Sequence, residues 1–331
     1  MPSKTFLIAL LFVTSLNLTN LPGQDGGCTR RTVPVGVVDR EWKFVQGLSA
    51  TNFRGKLHGW EVEVLSVSLD TSPRHIILLL DASGSMMVPD AVWDNAKYLS
   101  EYLIRHAPPG ASIAQMAFSE KVLGTAGFDQ DRLALLKRLA DLVKVCERPR
   151  KTRRTALYDT IASARGLLGG LEFGDVIFAV TDGEDNRSRT EAEKVEQNLL
   201  RGGIRLFSAL FEDQGRRTPT LGSKEIEGAG RLLSMIEATG GNALTLLFSP
   251  TSPPNPYPHL GASTRNDAID LALQRFYQQM GEFYRLELRL PEKVDKPTKW
   301  KLEVIEANGR PGRKVEVRYP EQLLPCAKVG P

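Results

Sequence analysis

With 331 residues, 41% hydrophobic and 25% charged, the chain has room for one large or two to three modest domains and enough apolar content for a core. A formal net charge of +4 is too slight to mark a nucleic-acid binder, and no aromatic-studded basic groove accompanies it. After the N-terminal segment, no stretch is long and apolar enough to span a membrane.

Lys4, the apolar run Phe6 to Leu18 and the Asn, Pro and Gly that follow read as a secretory signal peptide over residues 1–24, with a buried N-terminal helix as the alternative. Asp25 stands where a lipobox needs an aliphatic residue, so Cys28 is not read as a lipidation site. Residues 29–72 form an N-terminal β segment, in which Val33, Val35 and Val37 alternate, as do Trp60, Val62 and Val64. Residues 73–249 alternate strand and helix. Strands are expected at 75–80, 112–118, 175–181, 205–210 and 243–248, and helices at 90–105, 131–144, 156–168, 189–201 and 225–239. That rhythm predicts an α/β fold with a doubly wound, mostly parallel sheet and helices on both faces. Residues 250–265 are a proline-rich connector. Residues 266–325 begin with a helix to Met280 and end in β segments near 283–290, 299–306 and 313–319. Neither group of terminal strands buries a face alone, so they are expected to pair into one small β-sandwich beside the α/β unit.

The chemistry gathers at strand ends. The run from Ile76 to Leu80 reads as a buried parallel strand, and it ends in Asp81-Ala82-Ser83-Gly84-Ser85. Ligands of open α/β sheets bind outside the carboxyl ends of such strands. One carboxylate with two hydroxyls is oxygen-only ligation, suited to a hard cation. A second piece, Arg154-Thr155-Ala156-Leu157-Tyr158-Asp159, opens a helix, and a third, Asp175 to Asn186, is another buried strand ending in Thr181-Asp182-Gly183.

Taken in this order, the three pieces resemble the von Willebrand factor A-type (VWA) domain with its metal-ion-dependent adhesion site. Leu48 to Gly59 and the end of the chain, from Tyr284-Arg285-Leu286 through Tyr319-Pro320, resemble the flanks of bacterial exported proteins with a VWFA-related domain. The resemblance implies one Mg²⁺ (or Mn²⁺ or Ca²⁺) on Asp81, Ser83, Ser85, Thr155 and Asp182, with a position left for a partner's carboxylate. Asp159, Asp185 and Asn186 are candidates for the outer shell, with helix capping and turn formation as the alternative. A family glycine pair before the threonine is replaced here by Arg148, Arg150, Lys151, Arg153 and Arg154. Arg153, Arg154 and Arg187 are therefore read as a cationic rim for an acidic partner, against the alternative of a solvated loop. The resemblance to switching A-type domains also implies a shift of the last helix on ligand binding.

The expected function is an exported bacterial binding module, secreted or at the periplasm or cell surface, that recognises a protein or acidic surface polymer through the cation. An envelope scaffold is the alternative. A metal-dependent hydrolase is the least favoured reading, and the chain is not read as an enzyme. His58, His75, His106 and His259 form no HExxH spacing, Ser83 lacks a GxSxG frame, and no glycine-rich phosphate loop is present. Cys28, Cys146 and Cys326 are an odd number. Export favours one disulfide, either pinning the termini through Cys28 and Cys326 or using Cys146 in place of one of them.

Overall fold

The structure, a computed structural model, describes residues 28–88, 90–148, 154–167, 169–213, 223–248, 265–305, 312 and 314–326. The expected leader and nearly all of the proline-rich connector lie outside these residues.

The α/β unit is organised by β4 (His75–Asp81), whose run Ile76 to Leu80 is buried on both faces. Side chains alternate along a strand, so this one run feeds two cores. Ile76, Leu78 and Leu80 pack under α2 (Asp90–His106) and α3 (Arg132–Cys146). Ile77 and Leu79 pack under α4 (Leu157–Leu167), α5 (Ala192–Gly202) and α6 (Ser223–Ala238). Each such aliphatic side chain contributes roughly 1.5–3 kcal/mol of burial. Beside β4 lie β5 (Ser112–Phe118), the edge strand β6 (Val122–Asp129), β7 (Val176–Thr181), β8 (Arg205–Asp213) and β9 (Ala243–Phe248). The sheet order is β6-β5-β4-β7-β8-β9, parallel except for β6. The winding reverses between β4 and β7, so the crevice where ligands bind such sheets opens there.

Two features depart from the expected elements. β6 turns straight back on β5 through a hydrogen bond from Ser119 N to Lys121 O of 3.0 Å. Its glycines break the apolar pattern, and one of them is set by packing, because a Cβ on Gly124 would lie 2.7 Å from Leu142. In addition, α7 (Arg265–Gln278), expected within the C-terminal segment, packs on the α/β sheet. Phe276 and Tyr277 meet Phe178 edge-on, with centroids 6.2 and 5.5 Å apart.

The terminal strands come together as one antiparallel sheet that folds over its own core. β1 (Arg30–Asp39), β2 (Phe53–Leu57), β3 (Trp60–Asp70), β10 (Phe283–Arg289), β12 (Lys301–Val304) and β13 (Val315–Arg318) take the order β12-β2-β3-β10-β1-β13. β1 pairs with β10 through Arg30 to Val35 and with β13 through Gly36 to Asp39. The switch bends the sheet and brings its two edge strands together. Val33, Val35, Val37, Leu286, Leu288 and Trp300 fill the space inside. A short ladder of β11 (Thr298–Lys299) and β14 (Gln322–Leu323) completes the unit.

A buried cationic joint connects the two units at the end of the α/β sheet away from the crevice. Arg205 is buried at the start of β8. It donates to Gly174 O at 3.0 Å, Gln279 O at 2.9 Å and Met280 O at 2.5 Å. Burial, with Arg74 nearby, lowers its pKa to about 9, and Asp175 and Asp70 oppose the fall, so it stays charged at neutral pH. The Phe283 ring lies between the guanidiniums of Arg205 and Arg74, 4.7 and 4.6 Å from its centroid. Asp70 binds Arg74 and, at 2.8 Å, Arg285. Its burial would raise the carboxyl pKa, but hydrogen bonds from Arg285, the Ser72 amide and Arg74 prevail and hold it well below the usual range.

A carboxyl with a depressed folded-state pKa stabilises the fold above its unfolded pKa and loses that contribution as acid titrates it. Asp70→Asn is therefore expected to cost about 1–3 kcal/mol at neutral pH. The gap to wild type should narrow below about pH 4, measured by urea unfolding across pH. A gap independent of pH would contradict this role.

Candidate metal centre

At the reversal point, β4 ends in Asp81, which has no solvent exposure. Its Oδ1 accepts the Ser83 amide at 2.8 Å, and its Oδ2 accepts the Thr181 hydroxyl at 2.6 Å. The first bond turns the chain sharply, and the short helix α1 (Gly84–Met87) starts there. That turn brings the Ser83 and Ser85 hydroxyls to 3.2 Å from each other. Across the crevice, Asp182 follows β7, with its Oδ1 accepting the Glu184 amide at 3.1 Å.

Thr155 is brought in by bonds to both neighbouring strand ends. The next residue, Ala156, donates to Ser119 O beyond β5 at 2.8 Å. Asn186, four residues past Asp182, clamps Thr155 twice. Its Oδ1 accepts the Thr155 amide at 3.0 Å, and its own amide donates to Thr155 O at 3.1 Å. Asp81, Ser83 and Thr155 are buried, while Ser85 and Asp182 are half-buried, so the group opens on one side.

Asp185 and Asp159 act one layer further out, on backbone. Asp185 accepts the Tyr158 amide at 3.2 Å and the Ser188 amide at 2.9 Å. Asp159 accepts the Arg189 and Thr190 amides at 3.0 and 2.8 Å, and its own amide donates to the Ser188 hydroxyl at 2.9 Å. Burial works against ionisation of Asp159, yet the bonds from Thr190 and Arg189 hold its pKa below the usual range. The loop after Asp182 is thereby stitched to the first turn of α4. The rim residues Arg154 and Arg187 are exposed beside it, as is Arg189, whereas Arg153 lies outside the described residues.

The electrostatics of the pair are unfavourable by themselves. Burial, and then the charge of Asp182, push the Asp81 carboxyl up to about 8, against the hydrogen bonds from Thr181 and Ser83. A buried carboxyl close to a second acid is relieved by proton uptake or by a counter-charge. Among the described residues, no cluster of three or more His, Cys, Asp or Glu exists. Asp81, Ser83, Ser85, Thr155 and Asp182 together would offer two carboxylates and three hydroxyls, a set suited to a hard dication rather than a soft one.

Three contributors were not singled out in the sequence. Thr181 orients Asp81, and its place next to Asp182 was the available signal. Ser119 carries a buried hydroxyl without a hydrogen-bond partner among the described residues, and it stands at a strand end like Asp81. The third is α6. A Cβ on Gly183 would lie 2.9 Å from Ala229 Cα, and one on Gly228 would lie 2.9 Å from Gly183 O. The helix therefore presses directly on the Asp182 loop, a contact with no local sequence signal.

No protein-family model matches the sequence, and no curated protein matches it. Solved structures similar to the chain include a conserved hypothetical protein BatB from Bacteroides thetaiotaomicron, at 17% identity over 62% of this chain and 99% of that one, TM-score 0.43. Proximal thread matrix protein 1 from the mussel byssus is 13% identical over 67% of this chain and 50% of its own, TM-score 0.46. A von Willebrand factor type A protein from Catenulispora acidiphila is 13% identical over 89% and 73%, TM-score 0.37. At this level of similarity, the reading of the site rests on its own residues.

Gly183 has a φ of 79° and meets α6 backbone, whereas Gly169, with a φ of 95°, meets nothing within 4 Å. Gly183→Ala is expected to cost about 2–4 kcal/mol in chemical unfolding, from left-handed strain plus displacement of α6. Gly169→Ala should cost only about 1–2 kcal/mol. Equal losses would show that the α6 contact is not tight.

Proposed function

We propose that the chain is a VWA-type binding module, exported by a bacterium to the periplasm, cell surface or medium, that recognises an acidic group through a divalent cation. The observation that supports it most is the buried Asp81 carboxyl at the sheet's reversal point, within electrostatic reach of Asp182 and followed by the paired Ser83 and Ser85 hydroxyls. Among the described residues, no helix is long and apolar enough to cross a membrane.

In this reading, Asp81, Ser83, Ser85 and Thr155 hold a Mg²⁺ (or Mn²⁺ or Ca²⁺) directly, and Asp182 holds it directly or through water. The cation, when bound, supplies Lewis acidity toward an incoming carboxylate. Only two protein carboxylates serve it, so its charge is left largely unquenched. The backbone bonds from Asn186, Asp185 and Asp159 keep Thr155 and the Asp182 loop in register. Arg154 and Arg187, exposed next to that opening, favour approach of a polyanionic protein or surface polymer and repel cationic ones.

Calorimetric titration of Mg²⁺ and Mn²⁺ into the protein should show saturable binding at one site, and Asp81→Ala should abolish it. Absence of binding in the wild type would reduce the motif to a marker of fold and favour an envelope scaffold. The rim has its own test. With poly-glutamate as an acidic probe in the presence of Mg²⁺, affinity should fall several-fold between about 0.05 and about 0.5 M salt, and less so in an Arg154→Ala/Arg187→Ala variant. Affinity indifferent to salt would remove the arginines from recognition.

A further inference from the structure

The fold brings two of the three cysteines together. Cys28 precedes β1 and Cys326 follows β14, at opposite ends of the chain, yet the Cys28 thiol hydrogen-bonds Cys326. Both are partly exposed. Cys146 is fully buried in the core under α2 and α3 and belongs to a different part of the molecule.

The approach of the two thiols is imposed by anchored flanks. On the Cys28 side, Thr29 O accepts the Leu290 amide at 2.8 Å, which joins the residue after the cysteine to the end of β10. On the Cys326 side, β14 pairs with β11, and Glu321 is bonded both to Trp300 and to Ala238, each at 3.2 Å. Arg31 ties the two flanks across the gap, donating through Nη2 to Leu324 O at 3.3 Å and to Cys326 Sγ at 3.4 Å. The Arg31 guanidinium therefore lies against the Cys326 sulfur, and the positive charges of Lys293 and Arg31 also act on Cys28.

We propose that Cys28 and Cys326 form an intramolecular disulfide that clips the two chain ends together, with Cys146 outside the link. The oxidant is a low-molecular-weight or protein disulfide. The Cys326 thiolate attacks one oxidant sulfur, forming a mixed disulfide and releasing one thiol. The Cys28 thiolate then attacks the Cys326 sulfur, forming the intramolecular bond and displacing the second thiol. Two electrons pass from the cysteine pair to the oxidant, and the two cysteine protons end on the released thiols. Cys326 is assigned the first attack because Cys28 is the thiol whose pKa is raised. Cys28 donates its hydrogen bond to it, which raises the Cys28 pKa and suits the resolving role.

The physical effect is on the open chain. Without the clip, the chain ends outside β1 and β14 are held by the Thr29–Leu290 bond and by Arg31. With it, a loop spanning nearly the whole described chain is closed, the case in which chain-entropy arguments predict the largest effect.

The test is performed on the purified chain, reduced and then incubated with glutathione disulfide. Free thiols are blocked by alkylation before unfolding, and peptides are mapped by mass spectrometry without reduction. A linked Cys28–Cys326 peptide pair is expected, with one alkylatable thiol per chain, at Cys146, found only after unfolding. Cys146→Ser should keep the link. Cys28→Ser should lose it, together with a reductant-dependent fall in thermal midpoint of roughly 5–15 °C seen in the wild type. The proposal is overturned if all three cysteines remain thiols or carry glutathione caps, if the link involves Cys146, or if it joins two chains. None of these readouts depends on the metal site.

Discussion

A buried carboxylate is the constraint around which the crevice is arranged. Asp81 ends a strand that is apolar on both faces, so its charge is delivered into the core by the same residues that build the sheet. Two hydrogen bonds receive it, from the Ser83 amide and the Thr181 hydroxyl, and they set the local geometry of both neighbouring loops. They do not neutralise it. With Asp182 opposite, proton uptake or a bound cation is the available remedy.

The loops around that carboxylate form a connected structure. Asn186 holds Thr155 by two backbone bonds, Asp185 and Asp159 stitch the following loop to α4, and α6 presses on Gly183 through residues too small to keep it away. A displacement of α6 or of the first turn of α4 would therefore move candidate ligands. The outer acids act on backbone amides, which organises the loop without adding a further carboxylate to the group.

At the far end of the sheet, the joint between the two units uses charge in the opposite way. Arg205 is buried, but its hydrogen bonds are met by carbonyl oxygens, and Phe283 lies against its face. Asp70 and Asp175 supply opposite charge nearby. One end of the molecule holds a cation whose bonds are satisfied, and the other holds an acid that burial and a second acid push toward its protonated form. This asymmetry separates a structural charge cluster from a candidate functional one.

Much of this was legible in the chain itself. Apolar runs bounded by turns and followed by amphipathic periods located the parallel strands and their helices, because burial on two faces leaves an uninterrupted signature. Asp81, Ser83, Ser85, Thr155 and Asp182 stood out because strand ends are where such sheets expose polar groups. β6 was hidden because an edge strand buries little and its glycines answer to a helix distant in sequence. The contact of α6 with Gly183, the clamp of Asn186 on Thr155, the place of α7 on the α/β sheet and the approach of Cys28 to Cys326 were likewise decided only by the tertiary structure. Local sequence records which side chains must be buried and how the backbone turns. Which distant segments meet depends on the packing of whole elements, and no single stretch of residues encodes it.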